Sequence, residues 1–585
     1  MKIGFRLAVS RVLLAAVLAL GGVAHGADPL RLRLIGINDF HGNLESTGLT
    51  LTVPDPQGGK PLRLAAGGAA ALAGMVQALR AGSPHSLMIS GGDLIGAAPL
   101  VSALFRHEST IEVMNAIGLD AGAVGNHEFD AGFEELQRIV KGGCAANAPD
   151  AAAVSCGLER YTGAKFPMLG ANVLDAKGQP ALPAYTVRRV GGVRVGIIGA
   201  VTISTPSIVV PSGVAGLSFI DEAEGVNRAA RRLRAMGVET IIATFHEGGE
   251  IGTPQNRGHW NDTACADRSG PIFDIAQRLV PEISVIFSAH THQGYRCIVE
   301  GRTIISGTSY GRGISVVDVS IDRKSRRIVP ALTRSHNLPV VNDATDPALR
   351  ERLAAATPAP YGEVLRTARP DAAIAAQVAR YATVVAPKAG RPVGAIAAGF
   401  ARGGEVDSAA GRLIADAQLA ATRAPGDGGA QLALMNPGGI RSDLPCRNAP
   451  PCTVTFGQVH TMQPFGNSLV VMTLTGVQLK ALLESQQKGA EVTMLQPSEG
   501  FAYTWQSDAT SGDHVRDMRL SGEPIVAERA YRVTVNSFLA EGGDGFVTLQ
   551  KGTARTGGGQ DVDALLAYLK TERAPTLVPR VTRLP

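Results

Sequence analysis

The chain has 585 residues and a formal charge of +5, a length beyond what one hydrophobic core normally supports, so two domains are expected. Its first 26 residues carry Lys2, Arg6 and Arg11 and no acidic group, so without them 559 residues remain at +2. That near-neutral balance speaks against a partner such as a nucleic acid polymer, whose binding by phosphate neutralisation needs a marked basic excess.

At the amino terminus, basic residues flank or precede the apolar run Val12–Val23, and the small residues around Ala24 and Gly26 follow it. This is the pattern of a signal peptide over 1–26, and the run is short for a stable membrane anchor. The mature chain is therefore expected in the periplasm or outside the cell.

Five apolar, strand-like runs come next, each ending in residues with metal-ligand chemistry. Leu30–Ile37 leads to Asp39 and His41, Leu87–Ile89 to Asp93, and Ala121–Val124 to Asn126; Thr240–Phe245 leads to His246, and Ile283–Phe287 to His290 and His292. An α/β sheet delivers side chains to a common crevice at its strand ends, so the five runs are expected to converge. Carboxylate, amide oxygen and imidazole without thiolate suit divalent ions such as Zn, Mn or Co. Seven candidates exceed the three protein ligands of a single hydrolytic zinc, so two divalent metal ions are expected, with Asp93 as the natural bridge.

The six cysteines permit 15 connectivities, and the nearest pairings are predicted: Cys144 with Cys156, Cys265 with Cys297, Cys446 with Cys452. An even count suits an oxidising compartment. Zinc binding would need C-x-x-C spacing, which the chain does not have.

After His292 the runs Arg302–Ser306 and Ile314–Ile321 read as strands, and the basic cluster Arg323–Arg327 as a solvated hairpin turn. The Pro- and Ala-rich passage from Asn337 to Pro370 reads as a connection with a short helix. The expected division is a first domain over 27–340, a linker over 341–370 and a second domain over 371–585. In the second, helices are expected at Asp371–Val385, Ala409–Thr422 and Val477–Gln487, and a strand at Ser468–Thr475; GGGQ at 557–560 reads as a loop. Alternating strands and helices indicate α/β or α+β. Asn436 and Arg441 flank a Gly-rich turn after an apolar strand, where an Arg can grip phosphate bidentately. Phe465 in QPFGN and Phe538 in SFLAEGGDGF sit beside Gly and polar groups. Residue chemistry leaves two roles open for them, stacking a flat base or packing in a core.

The ligand series, DxH, GD, GNH, HxG and AHTH, resembles that of the calcineurin-like metallophosphoesterases and in detail the bacterial 5′-nucleotidase family, with Ala289 where the family has Gly. NPGGIR is similar to the family's NGGGIR, QPFGN matches outright, and SFLAEGGDGF resembles its base-binding turn. The resemblance implies an α/β protein: a four-layer metallophosphoesterase β-sandwich flanked by helices, joined by a helical linker to a carboxy-terminal α/β substrate-binding domain. It implies one metal held by Asp39, His41 and His292, another by Asn126, His246 and His290, and Asp93 between them. It also implies a nucleotide substrate, with Arg412, Asn436 and Arg441 on the phosphate, Phe465 and Phe538 stacking the base, and Asn467 and Asp544 bonding base or ribose. Some relatives have a further arginine upstream of Arg412, which the stretch 405–410 does not supply.

The expected chemistry is in-line release of phosphate from 5′-nucleotides, with UDP-sugars as further substrates, by water activated between two metals. His127 cannot easily share the metal of its neighbour Asn126, so it is expected to face the reacting phosphoryl group, oriented by Asp130. The alternatives are a 2′,3′-cyclic-nucleotide phosphodiesterase with 3′-nucleotidase activity, a dimanganese thiosulfohydrolase, and a non-catalytic nucleotide-binding surface protein.

Overall fold

The computed structural model describes residues 28–584, apart from 146–153, 254–255, 258, 405, 489–490, 510–511, 571–572 and 574–578. The expected signal segment 1–26 lies outside the described residues.

Two six-stranded sheets form the centre of the amino-terminal unit. The first runs Arg334–Pro339, Gly313–Ile321, Leu30–Ile37, Ser86–Ser90, Ala121–Ala123 and Met168–Leu169, with the last four strands parallel. The second runs Gly294–Val299, Arg302–Gly307, Ile283–Phe287, Thr240–His246, Val193–Val201 and Tyr185–Val190, with its four inner strands parallel.

Strand periodicity explains how the sheets meet. In LRLRLIGI, Leu30, Leu32 and Leu34 fall on one face and pack with Val195, Ile197, Ile242, Val285 and Ile305 of the other sheet, while Ile35 and Ile37 join the core on the outer face. At Gly36 a Cβ would lie 2.4 Å from the Phe287 ring, so a side chain there would hold the sheets apart. Helices Ala69–Ala81 and Glu108–Ile117 cover the first sheet, and Glu222–Ala235 and Pro271–Arg278 the second. The four expected layers are present. Three of the five ligand-bearing strands belong to the first sheet and two to the second, so the crevice lies between two sheets rather than along the edge of one.

The connection holds two helices rather than one, Pro347–Ala356 and Tyr361–Thr367, and residues 337–339 belong to a strand. Helix Ala372–Ala389, capped by the Asp371 side chain, packs on helices Ala69–Ala81 and Glu108–Ile117, and its Ile374, Val378 and Tyr381 enter the first unit's core.

The carboxy-terminal unit has a mixed five-stranded sheet, ordered Gln496–Pro497, Leu432–Met435, Ala530–Asn536, Ser468–Thr475 and Thr553–Gln560, beside a four-stranded one. The chain is thus a two-domain α/β protein with mixed sheets. GGGQ at 557–560 is not a loop: it ends the strand Thr553–Gln560, paired antiparallel with Ser468–Thr475 through two register shifts. An edge strand with bulges tolerates glycines that a central strand would not. The three predicted disulfides are all formed.

Candidate metal and substrate site

The loops leaving Leu30–Ile37 and Ser86–Ser90 run side by side, with Asp39 N–H donating to Gly92 O at 3.1 Å and His41 N–H to Asp93 O at 2.9 Å. This brings Asp39, His41 and Asp93 together although more than fifty residues separate the first from the last. Asp39 accepts from His290 N–H at 3.0 Å, tying the second sheet's loop to the first's. Asp39, His41, Asp93, His290 and His292 all adopt positive φ, between 47° and 71°. Left-handed backbone at a non-glycine residue costs about 1–2 kcal/mol, and such outliers gather at functional sites.

The ligand atoms fall into overlapping clusters: Asp39, His41 and His292; Asp93, His246 and His290; and His41, Asp93 and His127, each with its atoms within 4.8 Å of one another. Asp93 Oδ2 lies 3.1 Å from His246 Nε2 and 3.5 Å from His41 Nε2, so one carboxylate oxygen reaches both sides. Asn126 Oδ1 is 3.0 Å from His246 Nε2.

The donor set tests whether metals fit. His41 Nδ1 lies 2.9 Å from Gly96 O and His246 Nδ1 3.0 Å from Gly91 O. A carbonyl only accepts, so each Nδ1 carries the proton and each Nε2 turns a lone pair inward. His41 Nε2 then faces His292 Nε2 at 3.2 Å, and His246 Nε2 faces His290 Nδ1 at 3.2 Å. Lone pairs, an amide oxygen and carboxylates converging at such distances need shared positive charge, and the residues fit a pair of cations. A proton on His246 Nε2 can meet part of that demand in place of a cation. Burial opposes charge on His246, yet Asp93, followed by Asp39 and Glu128, draws its pKa up to about 10. His290 is held down to about 3 by burial and by the charge on His246.

His127 donates from Nδ1 to Asp130 Oδ2 at 2.8 Å, leaving its other nitrogen for the cavity. Burial works against its charge, but Asp130 and Asp93 raise its pKa overall.

One residue central to the geometry escaped sequence reasoning. The Glu128 carboxylate, 3% exposed, accepts from the backbone N–H groups of Gly125, Asp93, Leu94 and Ile95. It fastens the loop carrying Asp93 to the loop carrying Asn126. The only available signal was an acid directly after GNH, which reads equally as a solvated surface group.

A cavity of about 290 Å³ opens beside the cluster. Asn126, His127, Asp130 and His290 line it from the amino-terminal unit, and Asn436, Arg441, Phe465, Asn467, Phe538 and Asp544 from the carboxy-terminal unit. Asn436 bridges the strand ends, receiving a bond from Asn536 Nδ2 at 3.0 Å and donating to Asp544 Oδ2 at 2.8 Å. Phe465 stacks on the His127 ring at 5.6 Å, and the Arg441 guanidinium lies 5.8 Å from the centre of the Phe465 ring. Arg441 Nε and Nη2 are buried without a hydrogen-bond partner. Arg412 is placed differently: it does not line the cavity and pairs at 3.1 Å with the buried Asp407.

Residues 391–551 match the family model described as 5′-nucleotidase, C-terminal domain. The chain is 32% identical to "Endonuclease YhcR" of Bacillus subtilis over 93% of this chain and 40% of that protein, so it spans less than half of that relative's length. It is 30% identical to "Cell wall protein Lmo0130" of Listeria monocytogenes, over 97% of this chain and 71% of the relative. The crystal structure of a 5′-nucleotidase precursor from Thermus thermophilus matches with a TM-score of 0.72 at 26% identity, covering 95% of this chain and 99% of that one.

Proposed function

The chain belongs to the 5′-nucleotidase family, with a metallophosphoesterase amino-terminal domain and a 5′-nucleotidase carboxy-terminal domain, and we propose that it releases phosphate from 5′-nucleotides outside the cytoplasm. The observation that carries this reading is the shared cavity. Asn126, His127, Asp130 and His290 lie on one wall, and Arg441 with Phe465 and Phe538 lies on the other.

Asp39, His41 and His292 would hold one divalent ion and Asn126, His246 and His290 the other, with Asp93 contributing to both. When bound, such ions supply Lewis-acid charge to the phosphoryl oxygens and acidify water. Arg441, half-buried at the cavity wall, presents its guanidinium to the phosphate, where bidentate bonding fixes the group's orientation. His127, steadied by Asp130, faces the phosphoryl group from the opposite unit. As water attacks phosphorus and the P–O5′ bond breaks, His127 gives its cavity-side proton to the departing O5′. Phe465 and Phe538 offer flat apolar faces to a base, each stacked base contributing about 1–3 kcal/mol. A sulfur-carrier substrate would have no use for these two rings.

The three disulfides support a periplasmic or secreted location. Among the described residues, no helix is long and apolar enough to cross a membrane. A phosphodiesterase reading rests on the relative named an endonuclease, and it predicts cleavage of oligonucleotides or cyclic nucleotides. Phosphate release by the purified chain with Mn²⁺ or Co²⁺ should be compared on AMP, UDP-glucose, 2′,3′-cyclic AMP and single-stranded DNA. AMP is expected to be the best substrate. Nucleotide binding without phosphate release, or cleavage of DNA in preference to AMP, would reject the proposal.

A further inference from the structure

The cavity's apolar surface is divided between the units. Phe465 and Phe538 come from the carboxy-terminal unit, whereas Ile208, Val209 and Val210 come from the amino-terminal one. These three follow strand Val193–Val201 and are firmly set. Thr205 closes a turn on Thr202 O, Glu222 accepts from Ile203 N–H at 2.6 Å, and Val209 is 2% exposed in the first unit's core. Ile208 and Val210 flank that anchor half-buried. The short helix Thr205–Ile208 packs against the turn Gly543–Gly545, which carries Asp544.

From this juxtaposition we infer that Ile208 and Val210 form a third, amino-terminal wall of the nucleobase pocket, so that a base is recognised by both units at once. The inference rests on the nucleotidase reading and adds specificity residues to it. Its physical consequence concerns kcat. His127 and Arg441 come from different units and act on the same phosphoryl group, so a base that gains contacts only when the units are apposed favours the arrangement in which both face it. A wall of aliphatic side chains also rewards a flat apolar base and offers nothing to a bare sugar phosphate.

The test compares kcat and KM for AMP and ribose 5-phosphate in the metal-loaded full chain and in the double variant Ile208→Ala, Val210→Ala. Trimming an apolar pocket changes discrimination by about tenfold or more, so the ratio of kcat/KM for AMP to that for ribose 5-phosphate is expected to fall about tenfold, with part of the loss in kcat. The single variant Ile208→Thr, which keeps the β-branch and replaces the apolar ethyl group with a hydroxyl, is expected to move the ratio the same way with an unchanged thermal midpoint. An equal loss on both substrates would make the segment a seal between the units and overturn the inference, as would an unchanged ratio. A wild-type chain that does not prefer AMP would overturn it too, leaving the phosphohydrolase intact. No phosphate from either substrate in the wild type would instead overturn the proposed function, and this inference with it.

Discussion

At the scale of single residues, the site is held in shape by backbone that ordinary side chains avoid. Five of the seven candidate ligands are left-handed, and the neighbouring glycines leave no slack. A Cβ at Gly125 would lie 2.1 Å from Asp93 Oδ1, and one at Gly92 2.8 Å from His246 Nδ1. Ala289, where the family has Gly, is accommodated because its own φ is ordinary. Gly91 stands opposite, where a Cβ would come within 2.8 Å of the Ala289 methyl. Two substitutions separate holding a cation from transferring a proton. Asp93→Ala removes the one carboxylate that reaches both histidine pairs, so elemental analysis is expected to find fewer than two metals per chain. His127→Ala leaves those contacts in place, so metal content should hold while turnover drops by about 10²- to 10⁴-fold, the usual contribution of a general acid. Equal metal content in wild type and Asp93→Ala would show that the bridge is wrongly assigned.

At the scale of elements, two loops from adjacent strands are joined by Glu128, and the consequences of removing it are calculable. Glu128→Ala leaves four buried N–H groups without their acceptor, at about 1–3 kcal/mol for each buried group left unpaired. The amino-terminal unit is expected to lose about 3 kcal/mol or more in a denaturant titration. Metal affinity should weaken about 10- to 100-fold, as for other groups that orient ligands from behind. Glu128→Gln keeps one oxygen acceptor and should fall between the two; a variant with wild-type affinity would mean that the loops hold themselves. The strands feeding the site were legible in the sequence because each apolar run of fixed period ends at a polar ligand; Leu30–Ile37, Ile283–Phe287 and Ser468–Thr475 have the bounds their residues suggest. What was not legible depends on two segments meeting. Glu128 becomes an acceptor only once both loops are in place. Arg412 has the right chemistry for phosphate, but its pairing with the buried Asp407 could not be read from the sequence. Thr553–Gln560 has loop composition, and only its pairing with Ser468–Thr475 makes it a strand. Positive φ at Asp39 or His292 is likewise set by the surrounding turns and not by residue type.

At the scale of the molecule, the cluster and the cavity make opposite demands on the two units. The amino-terminal unit concentrates inward-facing lone pairs, carboxylates and strained backbone in one crevice, whereas the carboxy-terminal unit contributes arginine and aromatic rings whose geometry is set by its own sheet. Cations should therefore stabilise the first unit far more than the second. A ligand that binds only the folded state adds about 2.7 kcal/mol when its free concentration is a hundredfold above Kd, and the second unit provides no comparable cluster among its described residues. In calorimetry, chelation is expected to move the amino-terminal unit's unfolding to lower temperature and leave the carboxy-terminal transition nearly in place, with Mn²⁺ restoring the original trace. Helix Ala372–Ala389 belongs to the first unit's core, so trypsin cleavage after Lys388 should quicken with the same treatment. A thermogram indifferent to chelator, with metal shown to be removed, would mean that the crevice holds its strained loops without cations, and the dimetal reading of the cluster would fail with it.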